Sequence, residues 1–218
     1  MHAFCHALPG RWHQMSVMLS AASALDWAAR MTGAADAATL LERAATLSAA
    51  QRARAPLFLP YLSGERTPHN NPHAQGALFG LTHEHDAAAT GWAALEGVSF
   101  GLLDGLNSLA LPPEAMPTRL ALVGGGARSV LWGDLLASVL GVELEVRAGN
   151  EAGGALGAAR LGWLVAGGTL AEVCRAGDEA ARLHRPEAGL ADVLRERHAR
   201  FRSLYQALLP QFRTGEVS

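Results

Sequence analysis

Lysine does not occur in this chain of 218 residues; all 18 basic side chains are arginine. That absence removes two chemistries at once. A Walker-type phosphate loop needs its lysine against the phosphates, and Schiff-base catalysis needs a lysine amine. Cysteine is almost missing as well. Cys5 and Cys174 are too few and too isolated for a disulfide framework, which points to a reducing cytoplasm. No apolar run approaches the roughly 18 residues of a membrane span, and the first residues lack a basic stretch followed by an apolar one. A cytoplasmic protein without a membrane partner is expected. Charge is sparse, and the net of −2 gives no electrostatic footprint for nucleic acid. What remains is ordinary for a globular chain: half the residues are apolar and 17% are charged, enough to bury one sizeable core. No repeat or low-complexity linker marks a boundary inside it.

Along the chain, 2–8 reads as a short strand and the apolar spacing in 16–33 as a helix stopped by Gly33. An alanine-rich helix is expected over 36–54 and a strand over 57–62. The stretch "SGERTPHNNPHAQG" (63–76) is a polar loop of a length that usually carries function. A helix over 86–111 ends before Pro112-Pro113. Then follow a strand at 118–123, a glycine turn, a helix to about 140 and a strand at 142–146. A glycine-spotted helix at 151–166 comes next, and a last helix at 189–208 sets Leu190, Leu194, Phe201, Tyr205 and Leu208 on one face, with its arginines mostly elsewhere. Strand and helix alternate through the middle, so the class is α/β.

"LVGGGARSVLW" (122–132) is the informative stretch. A strand running through bare glycines into a helix lets a ligand reach main chain and the free N–H groups of the helix start. Three readings stand. One is a tight turn with no ligand. The second is a dinucleotide fold, with Glu145 as the ribose-binding carboxylate, although Ser129 stands where its third glycine belongs. The third is an adenosine-binding turn of the actin and sugar-kinase type, in which backbone replaces the missing lysine. A second cluster, Gly153, Gly154 and Gly157, costs roughly 1 kcal/mol per residue in a helix. Packing of small residues in a core is the plain expectation there, and close approach of a ligand or backbone the other.

Four stretches in order and spacing, "FLPYLSGERTPHNNP" (58–72), "GALFGLTHEH" (76–85), "LVGGGARSVLW" (122–132) and "GGALGAARL" (153–161), resemble the C-terminal half of the FGGY carbohydrate kinases. Residues 4–29 resemble the xylulokinases within that family. The pattern departs at Ala89 and Thr90, read as positions on a helix surface. The resemblance implies an α/β actin-like (ribonuclease H-like) ATPase fold. The whole of 1–218 would be the C-terminal, ATP-binding lobe of a two-lobed sugar kinase, apparently without its first strands.

It also implies the partners: ATP and ADP, magnesium carried as Mg-ATP, and D-xylulose only together with the N-terminal lobe that holds the sugar and the general-base aspartate. No catalytic residue is therefore assigned, and the chain alone is expected to be inactive. Gly125, Gly126 and Ala127 match the family's backbone contacts to adenosine, Arg128 is placed to stack on adenine, and Ala22 and Asp26 match positions facing ribose and adenine. Val130 stands where related kinases place an asparagine toward the base. A lobe stripped of its first strands would expose an apolar face open to self-association. His69, His73, His83 and His85 read as a histidine-rich polar loop rather than a metal site. Glu65 and Arg66 are expected to form an ion pair that shapes that loop. Trp12, His13 and Trp27 are expected in the core or at a lobe interface.

Overall fold

The computed structural model describes residues 2–147, 153–174 and 182–212. They fall into two compact units. One is made of residues up to Met116 together with those from Ala188 onward, and the other is Pro117–Glu187. Composition does not announce these junctions. Both lie in short turns beside prolines, Pro117 and Pro186, and not in a linker.

The first unit opens with a hairpin. Strands β1 (His2–Cys5) and β2 (Trp12–Met15) pair antiparallel with Cys5 opposite Trp12, and Pro9-Gly10 turns the chain with Gly10 at φ 70°. The strand expected at 2–8 is thus shorter, and its partner went unforeseen. Trp12 is 70% exposed and His13 is exposed, so neither is a core residue in this chain. The helix expected from residue 16 begins only at 22, as α1 (Ala22–Met31). Residues 16–20 form a non-helical strap that bends at Leu19 and Ser20, the main chain of Val17 and Leu19 being bonded to the 63–72 loop. α1 ends as expected, with Thr32 Oγ1 donating to the Ala28 carbonyl at 2.8 Å and Gly33 at φ 67°.

The single helix expected over 36–54 is two: α2 (Ala37–Ala45), capped by Asp36, and α3 (Ala49–Arg54). Ser48 and Gln51 form a reciprocal capping box that starts the second helix. Strands β3 (Leu57–Leu59) and β4 (Ala77–Phe79) then pair antiparallel around the polar loop. Trp27 stacks flat on Phe58, with ring centroids 5.5 Å apart.

The core is organised by α4 (Ala87–Asn107), capped by Asp86 through the Ala89 N–H at 3.0 Å. It packs against α1, α2, α3, β3 and α8 (Ala191–Leu208). Small residues let those neighbours in. A Cβ at Gly97 would run into the Phe58 carbonyl, and one at Gly91 would meet Leu40 at 2.8 Å. Ala89 is buried, not on the surface as its departure from the family pattern suggested; an alanine there lies inside the packed face. From α8, Leu194, Phe201, Leu204 and Tyr205 enter the core, and so does one arginine, Arg197.

The second unit is a three-stranded sheet in the order β5-β6-β7. β5 (Arg119–Ala121) is parallel to β6 (Glu143–Val146), and β7 (Arg182–His184) is antiparallel to it. α5 (Val130–Leu140) packs on β6 and β7 and ends at Gly141 in a left-handed cap. His184 is 1% exposed; its Nδ1 lies 2.6 Å from Asp134 Oδ1, and its ring occupies the space left by Gly133. α6 (Gly153–Val165) and α7 (Leu170–Val173) follow; residues 151–152 of the expected glycine-spotted helix lie outside the described residues. β7 and α7 were not anticipated, being too short to carry a period.

The glycines of α6 do not sit in a core. Among the described residues, nothing lies within 4 Å of a Cβ built on Gly154 or Gly157, and no side chain of α6 is buried. Gly157→Ala should therefore stabilise the chain by about 0.5–1 kcal/mol through helix propensity alone, read as a higher urea midpoint. A lower midpoint would mean that something occupies that face.

Candidate functional site

The three consecutive glycines have three different physical causes. Gly124 sits at φ 86°, a conformation that a side chain resists. Gly126 lies against Trp132, so that a Cβ there would enter the indole ring. Gly125 is bare without either reason: the nearest atom to a Cβ on it is Arg128 Nη2, at 3.5 Å. Gly125–Arg128 wind into one short 3-10 turn, and Ser129 then caps α5, its Oγ accepting from Trp132 N at 3.2 Å.

The polarity of this turn is set by its main chain. The N–H of Ala127 donates to the Gly124 carbonyl at 3.1 Å, and the Ala127 side chain is buried. The N–H groups of Gly125 and Gly126 precede it and have no intrahelical acceptor, as at any helix start. Such unbonded N–H groups at a helix start are the kind that can donate to an electron-rich ligand. Arg128 is exposed, its carbonyl accepting from Arg182 Nη1 at 3.5 Å. Val123 and Val130, 55% and 50% exposed, border the turn with apolar surface. A planar ring fits such a border. No hydrogen-bonding side chain stands at Val130.

Gly125, Gly126, Ala127 and Arg128 are therefore brought together in a single turn. Ala22 and Asp26 are brought together elsewhere, one helical turn apart on exposed positions of α1. The two groups belong to different units. Glu145, the ribose-binding candidate of the dinucleotide reading, is buried with Arg147 Nε 2.6 Å from its Oε1. A carboxylate already held this way is not free to take a ribose.

The polar loop is a braced structure. Main-chain bonds run both ways between Glu65 and Asn71, at 2.9 and 2.8 Å. A Cβ on Gly64 would stand 2.6 Å from the Pro72 carbonyl oxygen, so the loop closes tightly on itself. His69 stacks on Tyr205 with centroids 3.6 Å apart and shares a 2.9 Å hydrogen bond with Tyr61. His85 accepts from Thr82 N at 3.0 Å and reaches the Arg54 carbonyl at 3.1 Å. Among the described residues no group of three His, Cys, Asp or Glu side chains is placed to hold a metal ion.

Glu65 differs from its expected role. Its carboxylate accepts from main-chain N–H groups, Arg66 at 2.7 Å and Leu19 at 3.2 Å, and is 2% exposed. Burial pushes its pKa up to about 7, against the pull of those N–H donors. Thr67 joins it: its N–H donates to the Val17 carbonyl at 3.0 Å and its Oγ1 accepts from Val17 N at 3.1 Å. These strap contacts were missed in the sequence. The alternation of residues 17 and 19 could have signalled a non-helical segment, but the helical spacing beyond it was the stronger pattern.

The profile of the FGGY family of carbohydrate kinases, C-terminal domain, matches residues 1–166, and the chain belongs to that family. The FGGY sugar kinases have the actin-like ATPase fold, and this α/β chain shares it. The chain is 47% identical to the xylulose kinase of Escherichia coli (strain K12) over 212 residues, covering 96% of this chain and 43% of that protein. It is 53% identical to the xylulose kinase of Klebsiella pneumoniae over 164 residues, 74% of this chain and 32% of the relative. A crystal structure described as a xyloylose kinase from Brucella ovis superposes with a TM-score of 0.84 at 42% identity, covering 96% of this chain and 43% of that one. The chain thus spans less than half the length of the relatives it matches. No helix among the described residues is long and apolar enough to cross a membrane.

Proposed function

We propose that this chain is the ATP-holding part of a xylulose kinase, with 1–218 corresponding to the C-terminal lobe. Adenosine rests on the main chain of Gly125, Gly126 and Ala127. Arg128 covers the base; by likeness to the family, Ala22 and Asp26 of α1 are taken as further nucleotide contacts. The whole protein moves the terminal phosphoryl group of ATP to a hydroxyl of D-xylulose. The sugar contacts and the aspartate that takes the hydroxyl proton come from an N-terminal lobe. Magnesium, bound as Mg-ATP, neutralises charge on the transferred group.

One observation carries this reading. Gly125 is bare although neither backbone conformation nor packing demands it, and a Cβ there would meet only the Arg128 side chain at 3.5 Å. The exposed hairpin supports the lobe assignment, since Phe4, Trp12 and Met15 are 44%, 70% and 39% exposed on a two-stranded ribbon. Such a ribbon is marginal alone and suits the edge of a larger sheet. The same face would let the chain pair with itself.

The test is a Mg-ATP titration of the purified chain and of Gly125→Ala. The alanine has room, so stability should hold while ATP affinity falls about tenfold or more, its methyl standing where the nucleotide must approach. Unchanged affinity would reject the turn as the site. Co-expression with the N-terminal half of a xylulose kinase should then give ADP formation that depends on D-xylulose, whereas the chain alone should give none. Binding without activity in that pair would favour a non-catalytic nucleotide-binding remnant, and activity on another pentose or polyol would correct the sugar.

A further inference from the structure

We infer that Glu65 is a positioning residue for the nucleotide-facing end of α1, acting through a latch between the 63–72 loop and the strap that precedes that helix. The inference rests on the nucleotide role proposed for Ala22 and Asp26.

The latch is a short ladder. Val17 is bonded in both directions to Thr67, and two residues on, Leu19 N donates to Glu65 Oε1. One of these bonds joins main chain to main chain and two end on loop side chains, Thr67 Oγ1 and Glu65 Oε1. The loop side is stiff, being closed through Glu65 and Asn71 and anchored to α8 by Asn71 Nδ2 donating to the Tyr205 hydroxyl at 3.2 Å. The strap side lies along α4, where Gly101 and Gly105 leave room for Met18 and Ser16. Leu19 stands three residues ahead of Ala22, and its side chain is 40% exposed. Packing of that side chain therefore does little to hold this stretch, and the Glu65 bond to its main chain fixes how α1 begins.

The residue type also needs a reason. Two N–H donors converge on one oxygen of Glu65, the Thr67 N–H also favours its charged form, and the other oxygen, Oε2, is buried without a geometric hydrogen-bond partner among the described residues. A carboxyl oxygen accepts both donors, as an amide oxygen also can, which suits a residue kept to hold a neighbouring segment in one place.

The experiment uses the 218-residue chain with three variants, Glu65→Ala, Glu65→Gln and Thr67→Val. Two readouts are taken: amide hydrogen exchange over 19–26, and Mg-ATP affinity. Glu65→Ala should speed exchange there and weaken ATP binding, each about tenfold, the loss of the acceptor for Leu19 N. Glu65→Gln keeps an acceptor and should stay within about twofold of the parent. Thr67→Val, which removes only the acceptor for Val17 N and keeps the Thr67 N–H bond to the Val17 carbonyl, should fall between and decides the matter if Glu65→Ala does not fold. Rapid exchange with unchanged ATP affinity would reduce Glu65 to a structural residue and overturn the inference, as would unchanged exchange. If the parent chain takes no ATP, the nucleotide reading fails by itself, and the exchange contrast between alanine and glutamine still decides whether the latch exists.

Discussion

Arg197→Met should destabilise the first unit by about 3–5 kcal/mol, enough to unfold many domains outright. Arg197 is 4% exposed in the middle of α8. Its Nε and Nη2 grip both oxygens of Glu96 at 2.7 and 2.5 Å, Nη1 donates to the Ala53 carbonyl at 2.9 Å, and Nη2 also reaches the Ala55 carbonyl at 3.0 Å. Glu96 is 2% exposed, and burial pushes its carboxyl above the ordinary range despite the guanidinium opposite. Methionine fills similar space but leaves that acid and two carbonyls unpaired. The double variant Arg197→Met with Glu96→Gln should recover part of the loss, because the stranded charge is removed along with its partner. Urea denaturation of the three proteins measures this; a double variant no better than the single would show that the carbonyl bonds, not the ion pair, dominate.

The second large effect is a pH dependence carried by Glu65. Its folded pKa of about 7 stands above the ordinary value of 4.5, so the folded state holds the proton more tightly. Stability from this group is complete below pH 4.5 and declines as pH rises through 7. The total is about 3 kcal/mol for a shift of this size. The groups around Glu65 do little to oppose it. Residues 16–20 of the strap carry no ionisable side chain, Tyr61 faces it from beyond β3 as a neutral phenol held above its usual pKa by burial, and Arg66 meets it through a main-chain N–H. Glu65→Gln should abolish the slope: the stability difference between the variant and the parent should be small at pH 4.5 and grow to its full size by pH 8. A difference that does not vary with pH would mean that Glu65 is ionised throughout.

How much of this was legible in the sequence follows from what makes each feature local. The glycine turn, the long loop and α4 were readable because positive φ, proline and caps act within a few residues. The split between α2 and α3 was also written locally, in Ser48 and Gln51, but the alanine-rich spacing on both sides masked it. The hairpin strand β2 and the strap were not legible, since one is three-quarters polar or aromatic and the other is held out of the helix by residues some 50 positions away. The site divides the same way. Four of its residues share one turn and could be named together, whereas Ala22 and Asp26 were reached only through likeness to a family. Glu65 was singled out for the wrong partner: an adjacent Glu-Arg pair suggests a salt bridge, and nothing in the sequence reveals that the carboxylate faces inward.

The first unit is interrupted by the second in chain order, and that has a consequence for biosynthesis. Glu96 leaves the ribosome 101 residues before Arg197. At typical elongation rates of 5–20 residues per second, the nascent chain spends about 5–20 s with the α8-facing side of α4 uncovered and its acid unanswered. Slower synthesis should therefore lengthen the interval in which Glu96 waits for its partner.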